Sequence, residues 1–302
     1  MKNNIPEFLY NKLINDYGES LTNKIIEGYN KKRLLTLRVN SIKSNIKEIK
    51  EVLDKLNIKY ESVSWYEDAL VINGDIKDIT ELDIYKNGLI YVQSLSSMLP
   101  PLVLNPMANE NILDMTAAPG SKTTRIAALS NNTALITAVE KNKIRIERLK
   151  YNIDKLGAKR ISIIPKDARN IDDYFSFDKI LLDAPCSGSG TVLVSDNSIN
   201  NITEELITRS ISTQYELLEK AIKVLKPNHE LVYSTCSILK EENEKNVKKI
   251  MDKYNLEIIP IDVNKYDGIE LLPVSIDGTM CVCPNEYYEG FFVAKLKKND
   301  II

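Results

Sequence analysis

Two of the four cysteines stand where a side chain could do chemistry. Cys186 lies in DAPCSGSG and Cys236 in YSTCS, each directly after an apolar run that reads as a strand, KILLDAP and ELVYSTC. Strands of a parallel sheet end at the edge where ligands bind, so the two thiols are expected to face one crevice. A thiolate adds readily to carbon 6 of a pyrimidine, and carbon 5 then becomes a nucleophile able to attack a sulfonium methyl. Transfer to an amine needs no thiol and calls for an Asn/Asp-Pro-Pro-aromatic turn, which Asp183-Ala-Pro-Cys is not. An isolated cysteine in a reducing compartment is ordinarily a small buried hydrophobe. Position at a strand end sets Cys186 and Cys236 apart from that rule. Cys281 and Cys283 alternate within a strand-like run and read as structural, since only one histidine, His229, exists to help complete a four-ligand site. No metal is expected. His229 precedes its strand, on the side away from Cys236, which weakens a Cys-His hydrolase reading.

A second group of residues points to a nucleoside. The loop DMTAAPGSKT follows the strand-like NILD and opens a helix. It is not a phosphate loop, because Met115 stands where a Walker motif needs its first Gly and Ser121 separates Gly120 from Lys122. The dinucleotide Gly-x-Gly-x-x-Gly is also absent. Small residues with Pro119 and Gly120 let backbone approach a ligand closely, so Thr116, Ala117, Ala118, Pro119, Gly120, Ser121 and Lys122 are candidate cofactor contacts. Glu140 ends the next strand, where a carboxylate can accept from both ribose hydroxyls. Asp167 and Asp183 close the third and fourth strands and suit an adenine amine and a cationic sulfonium respectively. The set fits S-adenosyl-L-methionine.

The elements that must position these residues are legible as periodicity. Helical apolar spacing over residues 6–29 is followed by a strand over 34–39, the amphipathic IKSNIKEIKEVLDKLN and two short strands near 59–63 and 69–72. They predict a small mixed unit ending near residue 80. From about residue 111, five apolar runs alternate with amphipathic helices, which predicts a parallel sheet covered on both faces. LEIIPI and GFFVAKL add late strands, and residues 192–207 read as a mobile loop beside the site. The fold class is therefore α/β: a Rossmann-like sheet over residues 101–298 behind a small N-terminal α+β unit over residues 1–100. With 43% hydrophobic and 27% charged residues the chain is ordinarily globular, and a net charge of -2 gives no global signature of nucleic-acid binding. Residues 1–60 nonetheless carry twelve Lys and Arg against seven Asp and Glu, concentrated at Lys31, Lys32, Arg33 and Arg38, a candidate RNA contact or else a solvated helix face. No apolar run is long enough for a leader or a membrane span, so a cytoplasmic protein is expected.

With these residues in hand, the chain resembles the Sun/Fmu-type (Nop/Sun) family of RNA cytosine-5 methyltransferases over nearly its whole length. DMTAAPGSKT is similar to the family's cofactor loop, DAPCSGSG to its Pro-Cys motif, YSTCS followed by EENE to its Thr-Cys motif and PNEYYEGFFVAKL to its closing strand. The resemblance implies that Cys236 is the nucleophile, that Cys186 assists breakdown of the adduct, and that Asp183 steadies the protonated ring nitrogen of the base. It makes the sheet over residues 101–298 a methyltransferase domain and the unit over residues 1–100 an RNA-binding domain. It implies rRNA or tRNA as partner; no obligatory protein partner is evident in the sequence, and no added C-terminal RNA-binding domain is expected from it. It also implies that LRVN, residues 37–40, and YVQSLSSMLPP, residues 91–101, lead RNA in. Three departures are visible: Thr116 where many members have Cys, Asn228-His229 for a Gly-Gly turn, and Glu289 for a common Asp. A non-catalytic RNA-binding ribosome-assembly factor on the same fold is the alternative, against which intact Cys186, Cys236 and Asp183 weigh. A methyltransferase for small molecules or proteins would leave both cysteines without a use.

Overall fold

The structure, a computed structural model, describes residues 5–300. The chain opens with α1 (Glu7–Asn30), β1 (Leu35–Val39), α2 (Ile46–Lys55), β2 (Lys59–Ser62), β3 (Ala69–Asn73), α3 (Ile76–Thr80), α4 (Asp83–Lys86), β4 (Ile90–Val92) and α5 (Leu95–Leu104). It continues through β5 (Asn111–Asp114), α6 (Ser121–Leu129), β6 (Leu135–Val139), α7 (Lys143–Leu156), β7 (Ile161–Ile164), β8 (Phe177–Asp183), α8 (Glu204–Val224) and β9 (Leu225–Thr235). It closes with α9 (Glu244–Lys253), β10 (Leu256–Ile258), β11 (Leu271–Leu272), β12 (Met280–Val282) and β13 (Phe291–Lys298). Short polar side chains start several helices, where Asn45, Asn142 and Thr203 accept from Glu48 N, Arg145 N and Leu206 N.

Strands β7, β6, β5, β8 and β9 lie side by side in that order and all run parallel, with β13 added antiparallel to β9 and β12 and β11 beyond it. Chain order reverses at β5, between β6 and β8, so the crevice at the carboxyl ends of these strands is the place for a ligand. The parallel strands are short and apolar because helices cover both faces. His229 falls within β9 rather than in a preceding turn, paired to Asp178 at 3.3 Å. Asn228 before it holds φ at +64°, a left-handed conformation that Asn tolerates where the resemblance expects Gly.

The small sheet, ordered β2-β3-β1-β4, is wholly antiparallel, and β4 extends it to residue 92, past the expected end near 80. One face buries Leu37, Val39, Leu70 and Ile72 against Ile49 and Leu53 of α2. The other turns Ala69 and Val71 toward Met98 and Leu99 of α5 and Ile126 of α6. The first helix departs from this grouping. Leu9, Leu13, Ile25, Ile26 and Tyr29 of α1 share a core with Phe177, Tyr233 and Phe292 of the large sheet, so the first helix in the chain packs with the last strands. Gly18, with φ +75°, bends α1 so that both halves lie on that surface.

Residues 192–207, expected to be a mobile loop, are held by their apolar side chains: Val192, Ile199, Ile202 and Ile207 are each at most 3% exposed, and Val194 N donates to Tyr29 O at 2.9 Å. Polar composition hid four buried hydrophobes at irregular spacing. Among the described residues no helix is long and apolar enough to cross a membrane.

Leu13 is fully buried in the shared core, so Leu13→Ala should cost about 2–5 kcal/mol. Urea denaturation should show a lower midpoint with an unchanged slope; a near-neutral result would mean that α1 is not integral to the large domain.

Candidate active site

Five parallel strands deliver the candidate residues to one cavity of about 300 Å³. Its wall takes Met115 and Thr116 from the end of β5, Val139 and Glu140 from β6, Asp167 and Ala168 from beyond β7, Asp183 to Cys186 from β8 and Cys236 from β9. Leu217 from α8 closes one side. Cys186 Sγ and Cys236 Sγ stand 3.0 Å apart, both partly exposed. The hydrogen bond to Cys236, followed by burial, pushes the Cys186 thiol well above its ordinary range.

The loops bearing the two thiols are tied together one residue further on. Glu242, fully buried, accepts from Ser187 N at 2.7 Å, Ser187 Oγ at 2.5 Å, Ser237 Oγ at 2.5 Å and Gln214 Nε2 at 3.2 Å. Four donors fill the acceptor sites of a carboxylate. Gly190 N also donates to Cys236 O at 2.9 Å, and a Cβ at Gly190 would meet Gly290 O at 2.0 Å, which explains why this turn is glycine-rich. EENE is part of the resembling motif, but nothing in its spacing shows that Glu242 is the tie.

Asp183 accepts from Lys122 Nζ at 2.6 Å and from Ser234 Oγ at 2.9 Å, and Thr116 Oγ1 donates to its carbonyl at 2.7 Å. Burial works against the charge on Lys122, yet Asp183 outweighs it and the pKa rises. Of the candidate contacts Thr116 to Lys122, only Thr116 and Ala118 line the cavity. Ala117 is buried, Pro119 is exposed, Gly120 and Ser121 shape the start of α6, and Lys122 is turned to Asp183.

The residues present fit a nucleoside with a sulfonium better than a nucleotide phosphate. Lys122, the loop's only cation, is bound to Asp183, and two of the three cations at the cavity wall, Arg145 and Lys141, pair with Glu140 at 3.3 Å and Asp167 at 3.1 Å, leaving Lys166. Glu140 accepts besides only from Asn142 N at 2.8 Å and keeps lone pairs for ribose hydroxyls. Asp167 is less free. It accepts three times from Arg169 and once from Lys141, which holds its carboxyl well below the usual range. An adenine amine would have to replace Lys141, whose side chain is 64% exposed.

Residues 37–40, which the resemblance gives to RNA, are all at most 1% exposed and cannot contact it directly. The basic patch is also largely engaged, with Lys31 on Glu286 at 2.7 Å and Arg33 donating to Gly28 O and Asn285 O. Cys281 and Cys283 are buried on and beside β12, and neither lines the cavity. Among the described residues no group of three or more His, Cys, Asp or Glu could hold a metal ion.

Comparison with known proteins gives a consistent result. A family described as 16S rRNA methyltransferase RsmB/F matches residues 101–297, and the ferredoxin-like domain of RsmF/B-like methyltransferases matches residues 5–78. The protein called ribosomal RNA small subunit methyltransferase F in Shewanella loihica is 36% identical over 276 residues, covering 87% of this chain and 56% of its own length. The protein of that name in Vibrio vulnificus is 34% identical over 271 residues, covering 87% and 57%. The chain thus spans just over half the length of these curated relatives. A methyltransferase homologue from Pyrococcus horikoshii superposes with a TM-score of 0.83 at 30% identity, over 97% of this chain and 100% of the other. NSun6 from Pyrococcus horikoshii shares the fold at a TM-score of 0.88 and 24% identity, over 100% of both chains.

Two measurements probe this geometry. Removing the tie with Glu242→Ala strands three buried donor groups and should lower stability by on the order of 3 kcal/mol in urea titrations. Asp114, at the end of β5, is pushed by burial up to about 6. The folded chain then keeps a proton that the unfolded chain releases from about pH 4, so stability falls as pH rises from about 4 to about 6, by ~3 kcal/mol for this group. Asp114→Asn should remove that slope; an unchanged profile would show that Asp114 does not titrate there.

Proposed function

Because the chain belongs to the 16S rRNA methyltransferase RsmB/F family, we propose that it is an RNA methyltransferase that places a methyl group on carbon 5 of a cytosine through a covalent Cys236 adduct. The observation that carries this reading is the pair of thiols 3.0 Å apart at the ends of adjacent strands, beside the Asp183 carboxylate. The names of the relatives support small-subunit ribosomal RNA as the substrate, with transfer RNA the alternative.

S-adenosyl-L-methionine, held by Thr116, Ala118 and Glu140 with Asp167 and Asp183 at the same wall, would supply an electrophilic methyl group. The chain's residues do the rest. The cytosine must leave its stack, because its carbon 6 face is closed inside a helix. Cys236 Sγ forms a bond to carbon 6 as its proton passes, by way of solvent, to the ring nitrogen, and the electron pair of the 5,6 double bond becomes available at carbon 5. Asp183, fixed by Lys122 and Ser234, hydrogen-bonds the protonated ring nitrogen and offsets its charge. After methylation the proton on carbon 5 must leave, the bond to Cys236 breaks and the double bond reforms. Cys186, with its sulfur 3.0 Å from Cys236 Sγ, is placed to take that proton as a thiolate, after its own proton has passed to solvent.

The two cysteines should therefore separate in a simple assay. Cys236→Ser should lose methylation by on the order of 10³-fold or more, whereas Cys186→Ala should accumulate an RNA-linked species on denaturing gels. Undiminished turnover by Cys236→Ser would sink the mechanism. Bisulfite sequencing of small-subunit ribosomal RNA and transfer RNA from cells with and without the gene should show one cytosine losing protection. No change in either pool, with no capture by RNA carrying 5-azacytidine, would favour the binding-factor alternative.

A further inference from the structure

The small sheet reaches the candidate active site through a continuous chain of buried and half-buried polar groups. Arg38 of β1, fully buried, donates from Nε to Gln93 Oε1 at 2.8 Å. Gln93 follows β4 and is 7% exposed; its Nε2 donates to Ser97 O at 3.0 Å and lies 3.3 Å from Ser97 Oγ. These partners fix the orientation of the amide, oxygen toward the guanidinium and nitrogen toward the serine. Ser97, on α5, then accepts from Lys122 Nζ at 2.8 Å, and Lys122 pairs with Asp183 at 2.6 Å. A second route runs from the same arginine. Arg38 Nη2 donates to Ser121 O at 3.0 Å and Thr124 Oγ1 at 2.9 Å, holding the helical turn that carries Lys122.

From this continuity we infer that Gln93 and Ser97, backed by Arg38, are positioning residues that set the Lys122 ammonium on Asp183. The small domain thereby takes part in building the catalytic centre, apart from any contact with RNA. The reason is geometric. A lysine reaches its partner through four rotatable methylenes, and a single ion pair leaves it free to swing. Ser97 supplies a second acceptor, Gln93 holds Ser97, and the Phe291 ring 5.7 Å from Nζ limits the remaining direction. The consequence for turnover rests on the function proposed above; the placement of Lys122 does not.

Competitive acylation of lysines, read by mass spectrometry, tests the placement in the full-length protein without RNA or cofactor. Ser97→Ala sits on a helix and suits it, so the fold should survive, with a melting temperature near that of the wild type. Lys122 should be labelled about fivefold faster than in the wild type, relative to the exposed Lys248 of the same chain. Gln93→Leu should do the same, and Ser97→Thr, which keeps the hydroxyl, should restore protection. In methylation assays Ser97→Ala should lower kcat by about tenfold or more with KM for RNA nearly unchanged. Unaltered Lys122 labelling in both variants overturns the inference, as does a loss confined to KM in an active enzyme. Faster labelling in a protein whose wild type methylates no RNA would uphold the positioning role and remove the proposed function instead.

Discussion

Two sulfur atoms on different loops are held in contact, and the carboxyl group that holds them is Glu242. It binds the residue after each cysteine, so neither loop can shift without breaking hydrogen bonds in a place water does not reach. Tyr233 adds its hydroxyl to Glu242 O at 2.6 Å, and Ser189 Oγ meets Ser237 Oγ at 2.8 Å. A buried network of this kind is costly when incomplete and rigid when complete. Here it is complete, and its product is a fixed separation between two thiols.

That network is braced from outside the large sheet. Tyr29 of α1 donates to Ser189 O at 2.6 Å, Tyr17 of α1 donates to Ile238 O, and Asp16 accepts from Lys240 N at 3.1 Å. The first helix therefore supports the loops after both β8 and β9. Residues 192–207 fill the angle between this helix and the sheet, which is why their isoleucines are buried despite a polar surrounding sequence. The antiparallel domain supports the opposite side of the cavity through Arg38 and Gln93. The site is thus held between two N-terminal elements that belong to different cores.

Much of this was legible beforehand, for a physical reason. Strand ends in a parallel sheet share one edge, so apolar runs finishing in Cys186, Cys236, Asp183, Glu140 and Asp167 had to bring those residues near one another. The exclusion of a phosphate loop was equally local, because it depends on which residue occupies each place in a short segment. Glu242 was not legible, since a glutamate in EENE at the start of a helical run looks like any solvated acid. Arg38 was misread as surface charge. Its burial depends on Gln93, Ser121 and Thr124, which are distant in sequence and brought together only when the small sheet docks on α6.

The sequence by itself determined the order of strands and helices, the crevice at the sheet's carboxyl edge and the gathering of two cysteines with three carboxylates there, because these follow from periodicity and from residue type at strand ends. Tertiary structure alone decided which charges are spent on one another. It turned Lys122 from the cofactor loop to Asp183, saturated Asp167 with Arg169 and Lys141, and placed α1 with the last strands of the chain. Hydrogen bonds and ion pairs act over a few ångströms in space, and separation along the chain carries no information about that distance until the backbone has folded.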